Sequence, residues 1–186
     1  MSFSAVLLCG GESQRMGRDK SLVEWNGTPL WQLQLEKLRA LLPREIFLSA
    51  RNDKPWRPRD VTLVLDAEPA SCGPRGGIAA ALRICQSDHL LVLAIDLPLI
   101  HVGYLKSMLQ RIARGVGVVP VSDGRFEPVA AIYPRGVVDA FSRHAESLQT
   151  LLRELIDRGC MTAVGVQPRD RELFRNVNEP ADLIAS

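Results

Sequence analysis

The sequence has few of the residues that mark a metal cluster, a membrane segment or a polyanion binder. Its histidines, His89, His101 and His144, are scattered and show no metal-ligand spacing, which leaves structural or exposed roles for them. Its cysteines, Cys9, Cys72, Cys85 and Cys160, form no C-x-x-C pair, and Cys9 and Cys85 lie in apolar stretches. All four read as reduced thiols of a cytoplasmic protein. No apolar run approaches the roughly 20 residues of a membrane span. No basic start followed by a long apolar run marks a secretion signal. The net charge of +2 is too small to argue for nucleic acid or an anionic membrane as partner. Internal repeats, low-complexity tracts and linkers are missing as well. What remains is an ordinary globular composition, 46% apolar and 24% charged over 186 residues, which suits one domain spanning residues 1–186 with its own core.

The two commonest phosphate loops are also lacking. The P-loop needs G-x-x-x-x-G-K-[ST], whereas Gly17 is followed by Arg18 and Lys20 comes later. The dinucleotide fingerprint needs G-x-G-x-x-G, and Gly10-Gly11-Glu12-Ser13 breaks it. Yet the stretch Ala5–Lys20, A-V-L-L-C-G-G-E-S-Q-R-M-G-R-D-K, has the parts of an anion site. An apolar run that suits a strand covered on both faces leads into Gly10-Gly11. Paired glycines let the backbone turn sharply and lie close to a ligand, because no Cβ intervenes. Backbone N–H groups of such a loop face an anion, and Arg15 and Lys20 add full positive charge. The stretch reads as a loop around the triphosphate of a nucleotide; the bland alternative is a βα turn with solvated cations.

The remaining chain alternates apolar strands with amphipathic helices. Strands are expected at Ile46–Leu48, Val61–Leu65, Leu90–Ile95, Val116–Val121 and Met161–Val166, with Cys9 inside the first strand. Asn26-Gly27 marks a turn, and Thr28 and Pro29 are expected to open a helix as N-cap and first-turn proline. That helix carries Leu30, Leu33, Leu35, Leu38, Leu41 and Leu42 and stops before Pro43. Further helices are expected over about Ile78–Cys85, His101–Arg114, Gly136–Ala145, Leu148–Arg158 and Glu179–Ala185. Phe126–Tyr133 is expected to return from Ser122-Asp123-Gly124 as a hairpin or edge extension. The pattern implies an α/β fold: a Rossmann-like three-layer domain with a mostly parallel sheet and helices on both faces.

In such sheets ligands sit beyond the carboxyl ends of the strands. The glycine loop, Asp66 and Asp96 all fall there. Asp96 ends the most apolar strand, where an unpaired carboxylate is costly. Two roles fit it: a ligand for the Mg²⁺ that a nucleoside triphosphate brings, or a cap for the helix after Leu97-Pro98.

Leu8-Cys9-Gly10-Gly11-Glu12-Ser13-Gln14-Arg15-Met16-Gly17-Arg18-Asp19-Lys20, followed by Gly27-Thr28-Pro29-Leu30, resembles the signature of the molybdenum cofactor guanylyltransferases, L-A-G-G-x-S-x-R-M-G-x-D-K then G-x-P-L. Cys9 replaces the usual alanine, another small residue. The resemblance continues through Asp66, Gly73-Pro74-Arg75-Gly76-Gly77 in place of G-P-L-A-G, Asp96-Leu97-Pro98 as the D-x-P motif, Glu127-Pro128 where the family often has His-Pro, and Asn176-Val177-Asn178-Glu179-Pro180 in place of N-x-N-T-P. It implies that Leu8, Cys9, Gly10, Gly11, Ser13, Lys20, Ser49, Asp66, Gly76 and Asp96 line the nucleotide. It also implies that Asp96 binds Mg²⁺ (or Mn²⁺), and that Asn176 and Asn178 lie toward molybdopterin. Ser49 stands where the family often has an asparagine, so its hydrogen-bonding reach is shorter.

The implied reaction is attack of the terminal phosphate of molybdopterin, already carrying molybdenum, on the α-phosphorus of GTP, with pyrophosphate leaving. Lys20, Arg15 and Asp96 are the catalytic candidates. No protein nucleophile is needed, and Ser13 has no histidine near it in sequence. Implied partners are GTP, the molybdenum cofactor, and transiently the proteins that deliver the cofactor or the apo-molybdoenzymes that receive it. The rival readings are a cytidylyltransferase or other nucleotidyltransferase on the same scaffold, a non-catalytic nucleotide or cofactor binder, and a βαβ domain with another ligand.

Overall fold

A computed structural model of the protein describes residues 1–10, 19–65, 73–143 and 147–177. In chain order its elements are β1 (Phe3–Leu8), a 3-10 turn (Lys20–Leu22), β2 (Glu24–Trp25), β3 (Thr28–Pro29), α1 (Leu30–Arg39), β4 (Ile46–Ala50), β5 (Thr62–Leu65), α2 (Gly73–Ile84) and β6 (His89–Ala94). They continue with α3 (Val102–Leu109), β7 (Gly117–Ser122), β8 (Arg125–Phe126), β9 (Ile132–Pro134), a second 3-10 turn (Arg135–Val137), α4 (Val138–Arg143), α5 (Leu148–Asp157), β10 (Met161–Gly165) and a third 3-10 stretch (Pro168–Phe174).

An eight-stranded sheet runs in the order β10-β7-β9-β6-β1-β4-β5, with β8 paired to β7. β1 pairs in parallel with β6 and β4, β4 with β5, and β7 with β10. β9, wedged between β6 and β7, runs antiparallel to both, and β8 runs antiparallel to β7. The central strands β1, β4 and β6 are apolar at most positions because both of their faces are covered. Alternate residues feed two cores. Ala5, Leu7, Leu48, Leu91 and Leu93 meet Leu30, Leu35 and Leu38 of α1 and Leu105 and Met108 of α3. Val6, Leu8, Phe47, Leu90 and Val92 meet Ile78 and Leu82 of α2, Phe141 of α4 and Leu151, Leu152 and Leu155 of α5. The expected layers, helix over sheet over helix, are therefore present.

Local departures have physical causes. Asn26 and Gly27 both take positive φ, 50° and 76°, the geometry of a tight two-residue hairpin turn. The turn pairs Trp25 with Thr28, so Thr28 and Pro29 form β3 and Pro29, not Thr28, flanks α1, without a side-chain cap. The α1 register keeps Leu35 and Leu38 inside but leaves Leu42, at φ 57°, 86% exposed beyond the helix end. α2 begins at Gly73 rather than near Ile78; a proline in the first turn lacks only an N–H that the helix end leaves unpaired anyway. α3 ends at Leu109, short of the expected Arg114. The return after Asp123-Gly124 splits: β8 makes the hairpin, while β9 is an interior strand, not an edge. Cys9 lies one residue past β1. The expected helix from Glu179 onward lies outside the described residues.

Candidate active site

The parallel register brings four strand ends level. Leu8 is opposite Ser49 on one side and Ala94 on the other, and Ser49 is opposite Val64. The carboxyl edge of the sheet therefore collects Cys9 and Gly10, Ser49, Leu65 and Asp96. Cys9 N donates to the Ser49 carbonyl at 2.8 Å and Ile95 N to the Leu8 carbonyl at 3.1 Å. Leu8 and Ser49 are buried, so they serve this edge through backbone carbonyls, while Gly10 is exposed at its rim. Gly76 is buried in the first turns of α2. Of the other expected site residues, Gly11, Ser13, Arg15, Asp66 and Asn178 lie outside the described residues.

Two side chains chosen independently from sequence meet here. Lys20 Nζ donates to Asp96 Oδ2 at 3.2 Å, with side-chain exposures of 18% and 27%. The pair spans 76 residues of sequence. Helix capping does not account for Asp96: the N-cap of α3 is His101, whose Nδ1 accepts from Tyr104 N. A half-covered carboxylate at the carboxyl edge, with a cation already on one oxygen, is a place where hard cations and phosphates can be organised.

The Asp96 loop is gripped from below and from the side. Gln34 of α1 is fully buried among leucines and donates from Nε2 to the Ala94 carbonyl at 3.1 Å and to the Leu97 carbonyl at 2.9 Å. One helical turn on, Lys37 Nζ donates to the Pro98 carbonyl at 2.6 Å, and burial lowers its pKa to about 8. Val177 N donates to the Asp96 carbonyl at 2.9 Å. That bond sets Asn176, exposed, at the same edge. Gln34 and Lys37 were missed in the sequence; the available signal was a glutamine interrupting a leucine face.

Glu127 also belongs to this edge. Val129, two residues on, accepts from Ala94 N at 2.8 Å, so the strand-like run beside β6 brings Glu127 past the end of that strand. Burial raises its carboxyl to about pKa 7, with Arg125 pulling the other way. Tyr104 is raised to about 12, first by burial and then by Asp170, with Glu127 also among its neighbours. The described histidines, His89 and His101, keep structural places: His101 caps α3, and His89 is buried with Nε2 at 3.1 Å from both the Ala113 and Val116 carbonyls. The described cysteines, Cys9, Cys85 and Cys160, are thiols joined in no disulfide.

A mostly parallel α/β sheet whose carboxyl edge holds Gly10, a lysine and a strand-end aspartate fits the nucleotidyltransferase class of site. The family model of the MobA-like NTP transferase domain matches residues 5–161, and the chain belongs to that family. A molybdenum cofactor guanylyltransferase of Pseudomonas putida is 31% identical over 182 residues, covering 97% of this chain and 95% of that protein. The crystal structure of molybdopterin-guanine dinucleotide biosynthesis protein A from Archaeoglobus fulgidus has the same fold, with TM-score 0.68 at 22% identity over 97% of this chain and 95% of that one. A nucleotidyl transferase from Methanothermobacter shares it at TM-score 0.78 and 16% identity, over 98% of this chain and 94% of that one.

Proposed function

We infer that this chain transfers GMP from GTP to the terminal phosphate of molybdopterin, forming the guanine dinucleotide cofactor and releasing pyrophosphate. The observation that carries the reading is the convergence of Lys20 and Asp96 at 3.2 Å on the carboxyl edge of the sheet, in a member of a nucleotidyltransferase family. An acceptor phosphate oxygen forms a bond to the α-phosphorus. The bond from that phosphorus to the β-phosphate oxygen breaks, and its electron pair leaves with pyrophosphate. The protein's tasks are to align two anions and to offset the charge that develops. Lys20, with Arg15, faces the β- and γ-phosphates, and the glycine turn after Cys9 supplies backbone donors. Asn176 and Asn178 lie toward the acceptor.

Mg²⁺ fits the residues present. It is held by one or two carboxylates plus phosphate oxygens and water rather than by a protein cage. Among the described residues no group of three or more acidic, histidine or cysteine side chains forms such a cage. Asp96 supplies one carboxylate on which a cation, the Lys20 ammonium, already rests. When bound, the ion would neutralise phosphate charge. The chain's own contribution is to hold the Asp96 carboxylate still through Gln34, Lys37 and Val177.

The setting consistent with this reading is the cytoplasm, with reduced cysteines, and hand-over of the product to apo-molybdoenzymes or their delivery proteins. Among the described residues no helix is long and apolar enough to cross a membrane. The test is pyrophosphate release from each nucleoside triphosphate, with and without molybdopterin. Release from GTP that depends on molybdopterin is the expected result. Release from CTP instead would move the protein to the cytidylyltransferase reading. No release, with tight nucleotide binding, would make it a binder.

A further inference from the structure

We propose that Lys54, acting through Asp19, is the positioning residue that sets Lys20 in the site. The inference rests on the reading that Lys20 faces the triphosphate.

Lys20 is the first residue of a 3-10 turn of three residues. A turn that short does not hold its own shape, since a single turn fixes several dihedrals for one hydrogen bond. It is held by its N-cap. Asp19 Oδ1 accepts from Ser21 N at 3.1 Å and from Ser21 Oγ at 2.6 Å. The other oxygen, Asp19 Oδ2, is bound by Lys54 Nζ at 2.8 Å. The two oxygens of one carboxylate thus do separate things: one closes the turn, and the other ties it to the loop after β4. Burial alone would raise the Asp19 pKa, but the bonds from Lys54 and Ser21 outweigh it and hold the carboxyl below its ordinary value.

The loop that carries Lys54 is itself anchored. Trp56 stacks on Trp31 of α1, with ring centroids 4.9 Å apart and planes 17° from parallel. Arg57 donates from Nε to Asp53 Oδ1 and from Nη1 to the Val61 carbonyl, both at 2.7 Å. α1 is also the helix whose Gln34 and Lys37 grip the Asp96 loop. Both halves of the Lys20–Asp96 pair are therefore located from one helix, Asp96 directly and Lys20 by way of Trp31, Trp56, Lys54 and Asp19. The Lys54–Asp19 pair is well covered, at 16% and 31% exposure. Without the Lys54 charge, the Asp19 carboxylate becomes a competing partner for the ammonium next to it in sequence.

The experiment is a double-mutant cycle between positions 54 and 20, read as GTP affinity by calorimetry, which stays measurable when turnover is lost, and as kcat/KM for pyrophosphate release. Lys54→Met is expected to weaken both by on the order of tenfold, the cost of a misplaced charged group. Lys54→Arg should restore most of the loss. In the Lys20→Ala background, Lys54→Met should cost nothing further, because a residue that acts through another has nothing left to position. Asp19→Asn keeps an acceptor for Ser21 but replaces the oxygen that Lys54 grips with an uncharged amide donor, so it repeats the cycle from the other side of the pair without changing Lys54. Wild-type GTP affinity in Lys54→Met, or the same fold-loss with and without Lys20, overturns the inference alone. Full activity and affinity in Lys20→Ala itself overturns both the role of Lys20 and the inference.

Discussion

Replacing Lys20 with alanine separates a structural cation from a catalytic one. In the free protein Lys20 meets Asp96 at 3.2 Å, and the two side chains are 18% and 27% exposed. The bare attraction of two unit charges at such a distance is about 5 kcal/mol at an effective dielectric of 20. Desolvation and side-chain ordering cancel most of it, so the pair adds about 1 kcal/mol to stability. For a chain of 186 residues, a change of that size moves Tm by roughly 2–4 °C. Turnover should respond far more. During transfer, charge builds on departing pyrophosphate in a site partly closed to water, and losing one preorganised partner for such charge costs roughly 100- to 1,000-fold in kcat. The assay is pyrophosphate release from GTP at saturating substrate, beside a thermal melt of the same preparation. A mutant that melts within a few degrees of the parent but is nearly inactive supports the reading. A mutant with parental kcat refutes it. So does one whose activity falls only as its folded fraction falls, because then the pair merely holds the fold.

Asp96→Asn keeps shape and loses charge; turnover should collapse at ordinary Mg²⁺ and the metal concentration for half-activation should rise, and a parental rate at the same Mg²⁺ concentration would deny Asp96 a metal role. Gln34→Met preserves volume but strips donors from the buried Ala94 and Leu97 carbonyls, so denaturant titration should show a loss of about 2–4 kcal/mol, with kcat falling more than GTP affinity; an unchanged midpoint would show the carbonyls finding other partners. Glu127 has a folded pKa raised to about 7 from the ordinary carboxyl value, so the unfolded chain ionises first and stability should drop as pH rises from about 4.5 to 7. Glu127→Gln should match the parent near pH 4 and exceed its stability by about 1–2 kcal/mol above pH 7, after allowance for solvent screening of a half-buried group; parallel stability curves would show the carboxyl ionising freely.

What the sequence made legible follows from what local pattern can encode. The apolar run of β1 read as a two-sided strand, and the glycine loop and Asp96 read as one edge, because parallel strands present their carboxyl ends together; Cys9, expected inside the first strand, stands just past it. The position of β9 was not legible. Its pairing between β6 and β7 joins Leu90 to Tyr133 and Val118 to Ile132, contacts that no short window contains. Thr28 looked like a cap because Thr-Pro before a leucine face usually is one; the left-handed Asn26-Gly27 turn claimed it for the hairpin first.

The same distinction runs through the site. Lys20 and Asp96 could be picked out because each carries its own local mark, a glycine turn before one and the end of an apolar strand before the other. The residues that hold them carry none. Gln34 counts as a blemish in a helix face until the Ala94 and Leu97 carbonyls are seen beneath it. Lys54 stands in a polar, proline-containing loop among other cations, 35 residues from the carboxylate it grips. Nothing in its neighbourhood separates it from Arg51 or Arg59. A group that touches substrate must have chemistry that matches the substrate, and residue type reveals that. A group that positions another needs only reach and rigidity, and these come from the fold: here, a tryptophan on α1 stacked on a tryptophan two residues beyond Lys54.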